Sequence, residues 1–245
     1  MAAEAGKKKE AQRIRTYVPG FDSLIGGGFI PGSVNLISGG AGTGKTAFCL
    51  QYLYHGILED GQNGLFLSFE ENLDDLKLDA QSYGFDFTKL EEQKRMKFLF
   101  ISPYALQNFK EELTSEVSII DAKRVVIDST STFGMGLDSS YEVRKELYAL
   151  AKVLKKLKCT TVITSEIIGE APLDMSGGIG SLSRFGVEEF VADSVITLHY
   201  AGLGGGTDRA VRVVKMRRTD HVKGPVPMTM GQGGISVQSK ERVYH

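Results

Sequence analysis

Gly39-Gly40-Ala41-Gly42-Thr43-Gly44-Lys45-Thr46 follows directly on the apolar run SVNLIS (Ser33 to Ser38) and opens the amphipathic stretch from Thr46 to Glu59. Strand, glycine loop and helix in that order form the context in which the spacing GxxxxGK[ST] holds a phosphate chain. The glycines let successive backbone N–H groups turn inward around a β-phosphate, where a Cβ would clash or forbid the required φ. The helix that starts near Thr46 adds the positive end of its dipole. Lys45 is placed to neutralise β- and γ-phosphate oxygens, and the Thr46 hydroxyl to ligate Mg²⁺.

Working outward from this loop, the chain alternates short apolar runs with amphipathic stretches, the pattern of a parallel sheet with crossover helices. The predicted strands are Ser33 to Ser38, Gly64 to Phe69, Met96 to Ile101, Arg124 to Asp128 and Thr160 to Ser165. The predicted helices are Thr46 to Glu59, Leu73 to Tyr83, Leu106 to Ile120 and Tyr141 to Leu157, the last with Val143, Leu147, Leu150 and Leu154 on one face. Two further runs, Ser194 to His199 and Ala210 to Met216, flank the turn GLGGGTD and predict an antiparallel hairpin that extends the sheet. The 29 glycines among 245 residues exceed the usual share of about 7% and concentrate in the phosphate loop, these turns and a glycine-rich segment from Ser176 to Gly186.

Size and charge narrow the alternatives. A 245-residue chain that is 42% hydrophobic and 24% charged is a single globular α/β domain, not a disordered or fibrous one. Its net charge of −1 provides no global field for nucleic acid or membrane. Residues 1–15 carry five bases and two acids with almost no large apolar side chain, and read as a mobile basic tail ahead of a domain over 16–245. No apolar run reaches membrane-spanning length, the amino terminus lacks a signal-peptide core, and Cys49 and Cys159 stand far apart in apolar stretches. These features predict a cytoplasmic protein with two reduced core cysteines.

Three charged features carry chemistry. Asp128 ends the buried run Val125-Val126-Ile127 at the carboxyl edge of the sheet, where open α/β sheets hold ligands, and is the second expected metal ligand. Glu70-Glu71 end the run Leu65 to Phe69 at the same edge, placed to activate a water, while Asp74 and Asp75 suit the first turn of the following helix. From Arg209 to Lys223 there are six bases and one acid, with Lys215 and Arg217 on one face of a strand and Thr219 and His221 continuing that period if the strand extends so far. Taken alone, this basic strand fits a solvated sheet edge, a nucleic-acid patch or a clamp on nucleotide phosphates.

The segments GFDSLIGGGF (Gly20 to Phe29), GGAGTGKT, FEEN (Phe69 to Asn72), VVIDS, TSE (Thr164 to Glu166), RFGVEEFVAD (Arg184 to Asp193) and KMRRTDH (Lys215 to His221), in this order, resemble the KaiC-like ATPases, relatives of RecA and RadA. The resemblance implies a RecA-type P-loop core: a mostly parallel central sheet flanked by helices, with a C-terminal antiparallel hairpin. It also implies Mg²⁺-dependent ATP hydrolysis in a homo-oligomeric ring, usually a hexamer, with ATP held between subunits. On this basis Glu70 is the water-activating residue and Glu71 supports it. Lys215 and Arg217 match the pair that reaches phosphates from the neighbouring subunit, with Thr219 and His221 nearby.

Catalytic roles therefore fall to Lys45, Glu70, Glu71 and Arg217, and the metal to Thr46 and Asp128. Nucleotide contacts fall to Gly39, Gly40, Ala41, Gly42, Thr43, Gly44, Lys45, Thr46, Ala47, Lys215, Arg217, Thr219 and His221. Ala47 stands where many relatives have a second hydroxyl. Glu189-Phe190 stand where the second domain of two-domain members of this family carries a phosphorylated Ser-Thr pair, so the resemblance implies hydrolysis without autophosphorylation. Ser165 and Glu166 occupy the γ-phosphate-sensing place. The rival function is a nucleotide-gated, RadA-like DNA-binding protein, supported by the basic tail, the basic strand and the glycine-rich loop; a signalling protein is the other class of partner.

Overall fold

The computed structural model describes residues 12–137, 139–167, 182–202 and 208–238. The predicted turn at Gly202 to Gly206 lies largely outside these residues, as do most of the basic tail and most of the glycine-rich segment before Gly186.

Among the described residues, nine strands form one sheet: β1 (Val34–Gly39), β2 (Gly64–Ser68), β3 (Met96–Phe100), β4 (Arg124–Asp128), β5 (Thr160–Glu166), β6 (Ser194–Tyr200), β7 (Arg209–Met216), β8 (Val226–Gly231) and β9 (Gly234–Val237). Their spatial order is β3-β2-β4-β5-β1-β6-β7-β8-β9. The first six are parallel and the last three antiparallel. β1 and β2 are buried at every position, as strands covered on both faces must be, whereas β7 and β8 carry partly exposed positions.

The helices are α1 (Phe21–Leu24), α2 (Lys45–Asp60), α3 (Leu73–Ser82), α4 (Thr88–Glu92), α5 (Phe109–Ile119), α6 (Phe133–Gly136), α7 (Ser140–Leu157) and α8 (Glu188–Val191). One apolar cluster joins one face of the sheet to side chains of α1 to α4, and a second joins the other face to α5, α7 and α8. The predicted seam of α7 is buried at Val143, Leu147, Leu150 and Leu154, and Ser139 caps the helix by accepting from the Glu142 N–H. Both cysteines are free and buried.

The predicted strands and long helices are present with ends shifted by a residue or two. Some expectations need correction. The hairpin β6–β7 is not terminal, since β8 and β9 continue the sheet beyond it. The helix expected from Leu106 starts as a 3₁₀ turn, Leu106–Asn108, before α5. Arg13 and Ile14, expected in a mobile tail, are held by the domain: Ile14 is buried and exchanges backbone hydrogen bonds with Phe29, and Arg13 donates to the Thr219 hydroxyl at 2.8 Å. An isoleucine in a basic context carries little signal on its own, but Gly28 provides the room, because a Cβ there would stand 2.3 Å from the Ile14 carbonyl oxygen.

One buried cation ties the first half of the chain together. Arg124, with 0% exposure, donates to the Gln62 side chain at 2.8 Å, to the carbonyls of Arg15 at 2.7 Å and Tyr52 at 3.2 Å, and to the Asp60 carboxylate. Its guanidinium lies 4.6 Å from the Tyr52 ring centroid. Gly56 makes this cage fit, since a Cβ there would stand 2.1 Å from the Arg124 Nε. Arg124→Met removes the charge while filling the volume and leaves several acceptors unpaired, so it should destabilise the fold by about 3 kcal/mol. Urea unfolding checks this; a midpoint equal to wild type would show the cage to be energetically neutral.

Candidate functional site

The phosphate loop joins β1 to α2, and its residues are arranged as the motif requires. Gly44 precedes the first turn of α2 at φ +102°, a region closed to most side chains. The first turn of α2 has no side-chain cap and no acid, so its N–H groups have no competing side-chain acceptor. By contrast, α3 is capped by Asn72, which accepts from the N–H groups of Asp74 and Asp75. Asp74 and Asp75 therefore serve their own helix, as expected. Lys45 lies over the loop, donating to the carbonyls of Gly39 at 3.0 Å and Gly40 at 2.9 Å.

Asp128, at the end of β4, meets this loop. Its Oδ2 accepts from the Thr46 hydroxyl at 2.9 Å, and its Oδ1 from the Thr164 hydroxyl on β5. Two hard oxygen donors side by side suit a small divalent cation that takes few protein ligands and completes its shell with water and phosphate. Among the described residues no group of three or more His, Cys, Asp or Glu forms a closed metal cage. The Thr46–Asp128 donor pair fits a Mg²⁺ ion that takes its remaining ligands from water and phosphate.

Glu70 stands just beyond β2, next to β4, and its Oε1 accepts from the Ser129 hydroxyl at 2.8 Å. Removal from water raises the Glu70 pKa, the Ser129 hydrogen bond opposes this, and the charges of Asp128 and Glu166 raise it further. The result is a stronger base than an ordinary glutamate. Glu71 is likewise raised, first by burial and then by surrounding acids. Its backbone is fixed at both ends by Ser68, whose hydroxyl donates to the Glu71 carbonyl at 2.7 Å and accepts from its N–H at 3.0 Å. Of the pair that ends β5, Ser165 is engaged elsewhere: its hydroxyl donates to the fully buried Glu188 at 2.9 Å. Glu166 contributes through its charge near Glu70.

The remaining predicted residues stand elsewhere. Met216 pairs with Ser194, which pairs with Asn35, four residues before Gly39 in β1. Lys215 and Arg217, on either side of Met216, therefore lie toward the amino edge of the sheet, about 10 Å along the strands from their own phosphate loop for Lys215 and farther for Arg217. The Lys215 ammonium donates to the carbonyls of Glu189 and Ala192, each at 2.9 Å, and Arg217 donates to Asp193 at 3.5 Å. Burial and then Arg217 lower the Lys215 pKa. β7 ends at Met216, so Thr219 and His221 do not continue its period: Thr219 holds Arg13, and His221 is half-buried on the following loop.

Some residues near the loop were not singled out from sequence. Arg209, at the other end of β7, donates to the Gly42 carbonyl and stacks 3.9 Å from the Tyr200 ring centroid. Thr164 and Ser129 fix the two acids. Met230 and Ile235 of the β8–β9 hairpin are the side chains nearest Gly44, and Gln51 of α2 holds that hairpin through the Ile235 backbone. Arg209 belonged to the basic stretch, but only the strand register shows which of its cations faces the loop.

The model of the family described as "ATPase: KaiC" matches residues 14–242. The circadian clock oscillator protein KaiC of Prochlorococcus marinus strain MED4 is 37% identical over 240 residues, covering 94% of this chain and 46% of its own length. That of Synechococcus elongatus PCC 7942 is 36% identical over 235 residues, covering 92% of this chain and 44% of its own. The chain thus spans a little under half the length of these clock proteins. Among solved structures, a KaiC-like protein from Pyrococcus horikoshii superposes with a TM-score of 0.81 at 35% identity, over 93% of this chain and 99% of that one. The fold is the RecA-type α/β core that the motifs implied, and the chain belongs to the KaiC family of ATPases.

Proposed function

We propose that this protein is a Mg²⁺-dependent ATPase that assembles into a ring, most simply a hexamer, with each active site shared by two subunits, and that it acts in regulation or signalling. The observation that carries this reading is the Glu70 carboxylate, strengthened as a base, beside the Thr46–Asp128 oxygen pair at the mouth of the phosphate loop. Gly39 to Thr46 bind and orient the phosphates, with Ala47 continuing the helix behind them. Lys45 exchanges its loop carbonyls for phosphate oxygens. Thr46 and Asp128 would hold Mg²⁺, which would supply neutralisation of phosphate charge when bound. Glu70 accepts the proton of the attacking water, and Glu71 adds to the negative field that keeps Glu70 basic.

The separation of Lys215 and Arg217 from their own loop favours a shared site. These cations complete the charge balance only for a nucleotide held by another copy, where they stabilise the charge that develops in transfer. Their protein partners and the acidic surroundings of Glu70 weigh against a DNA-binding role for the basic strand. Lys45→Ala should weaken ATP binding by about 10- to 100-fold, as expected for loss of one charge-assisted contact. Titration with a fluorescent ATP analogue measures this, and an unchanged affinity would remove the phosphate loop from the mechanism.

A further inference from the structure

Two exposed patches, on opposite faces of the sheet, complement one another in charge, and each exposes apolar side chains. The first is the outward side of α3. Asp74, Asp75 and Leu78 are spaced to share a face, with Asp79 flanking it, and Leu78 is 62% exposed among these carboxylates. The nearest cation on the helix, Lys77, is engaged with Glu91 at 2.9 Å. The second is a groove of about 690 Å³ between α7 and α8, where Phe190 and Tyr148, 59% and 48% exposed, form the apolar lining. Arg144 lies 5.8 Å from the Phe190 ring centroid and 5.7 Å from that of Tyr148, and Lys152, Lys155 and Arg217 also line the groove.

We infer that the groove receives α3 of a second copy of this chain, with Leu78 seated against Phe190 and Tyr148 and its flanking carboxylates meeting Lys152 and Arg144. The inference rests on the shared-site reading and adds the surface that aligns the two halves. Like patches would repel, so the contact is heterologous: each copy offers α3 to one neighbour and the groove to the other, which propagates into a ring or a filament. α3 begins two residues after Glu71, and Arg217 lies in the groove. Seating the helix therefore brings Arg217 to the edge where Glu70 stands. A nucleic acid would also suit an aromatic groove rimmed with cations, but it would leave the exposed Leu78 unexplained.

Solution mass, measured over a protein dilution series with ATP and Mg²⁺, tests the contact. Leu78→Asp and Lys152→Glu should each raise the concentration needed for assembly by about tenfold or more, while leaving the thermal midpoint of the monomer unchanged. Combining Asp75→Lys with Lys152→Glu in one chain should recover assembly relative to either single change. If wild type assembles and both single variants assemble equally well, this surface is wrong while the shared site stands. If wild type stays monomeric, both readings fall together. If Lys152→Glu loses binding to a single-stranded oligonucleotide while assembly is unaffected, the groove belongs to nucleic acid and the inference is overturned.

Discussion

Glu70→Gln is expected to slow ATP turnover by about 10²- to 10⁴-fold while nucleotide still binds, because the amide keeps the shape of the side chain and loses only its ability to take a proton. The wild-type residue is held by Ser129 and made more basic by loss of water and by Asp128 and Glu166. A carboxylate whose pKa is raised loses its basic form as pH falls through that raised value. The acid limb of turnover should therefore lie at higher pH than an ordinary glutamate would place it, and the Glu70→Gln variant should lack that limb. Glu71→Gln should cost less, since this residue acts through its charge and its backbone is fixed independently by Ser68. Steady-state turnover as a function of pH, with affinity measured separately, checks both; wild-type turnover in the Glu70→Gln variant would remove the assigned base.

Arg217→Ala is expected to lower turnover by about 10³- to 10⁵-fold if it acts as a cation supplied to a neighbour's nucleotide. The variant should fold normally, because the side chain is half exposed and its contact with Asp193 is long at 3.5 Å, while Lys155 remains on that acid at 3.1 Å. A mixture of Arg217→Ala and Glu70→Gln subunits should recover part of the lost activity. Some sites in the mixture combine an intact base from one chain with an intact arginine from the next. No recovery over either variant alone would place the active residues within single chains.

What could be read from sequence depended on how local the determinant was. The phosphate loop, β1 and α2 lie within about thirty residues, and their glycines, lysine and apolar periodicity specify them without help from the rest of the chain. Asp128 and Glu70 were legible because carboxylates ending buried strands project from one edge of a parallel sheet. The opposition between Arg209 and Arg217 was not legible. Both are cations of one basic stretch, and only the antiparallel pairing of β7 with β6 sends one toward the loop and the other away. β8 and β9 were missed for a related reason: with Pro227, two methionines and Gly233-Gly234, their apolar pattern is weak, and they are held by remote contacts, the Gln51 side chain and the apolar cluster that takes in Met228, Ile235 and Val237. Ile14 was assigned to the tail because its partner, Phe29, lies beyond any local window.

The cage around Arg124 also bears on how the chain can be made. Every group that it satisfies, the carbonyls of Arg15 and Tyr52 and the side chains of Asp60 and Gln62, precedes it in sequence. During synthesis, these acceptors leave the ribosome well before the strand that carries the arginine, and α2 can complete its packing only after residue 124 has emerged. Nascent chains halted between α2 and β4 should accordingly remain open to protease around α2.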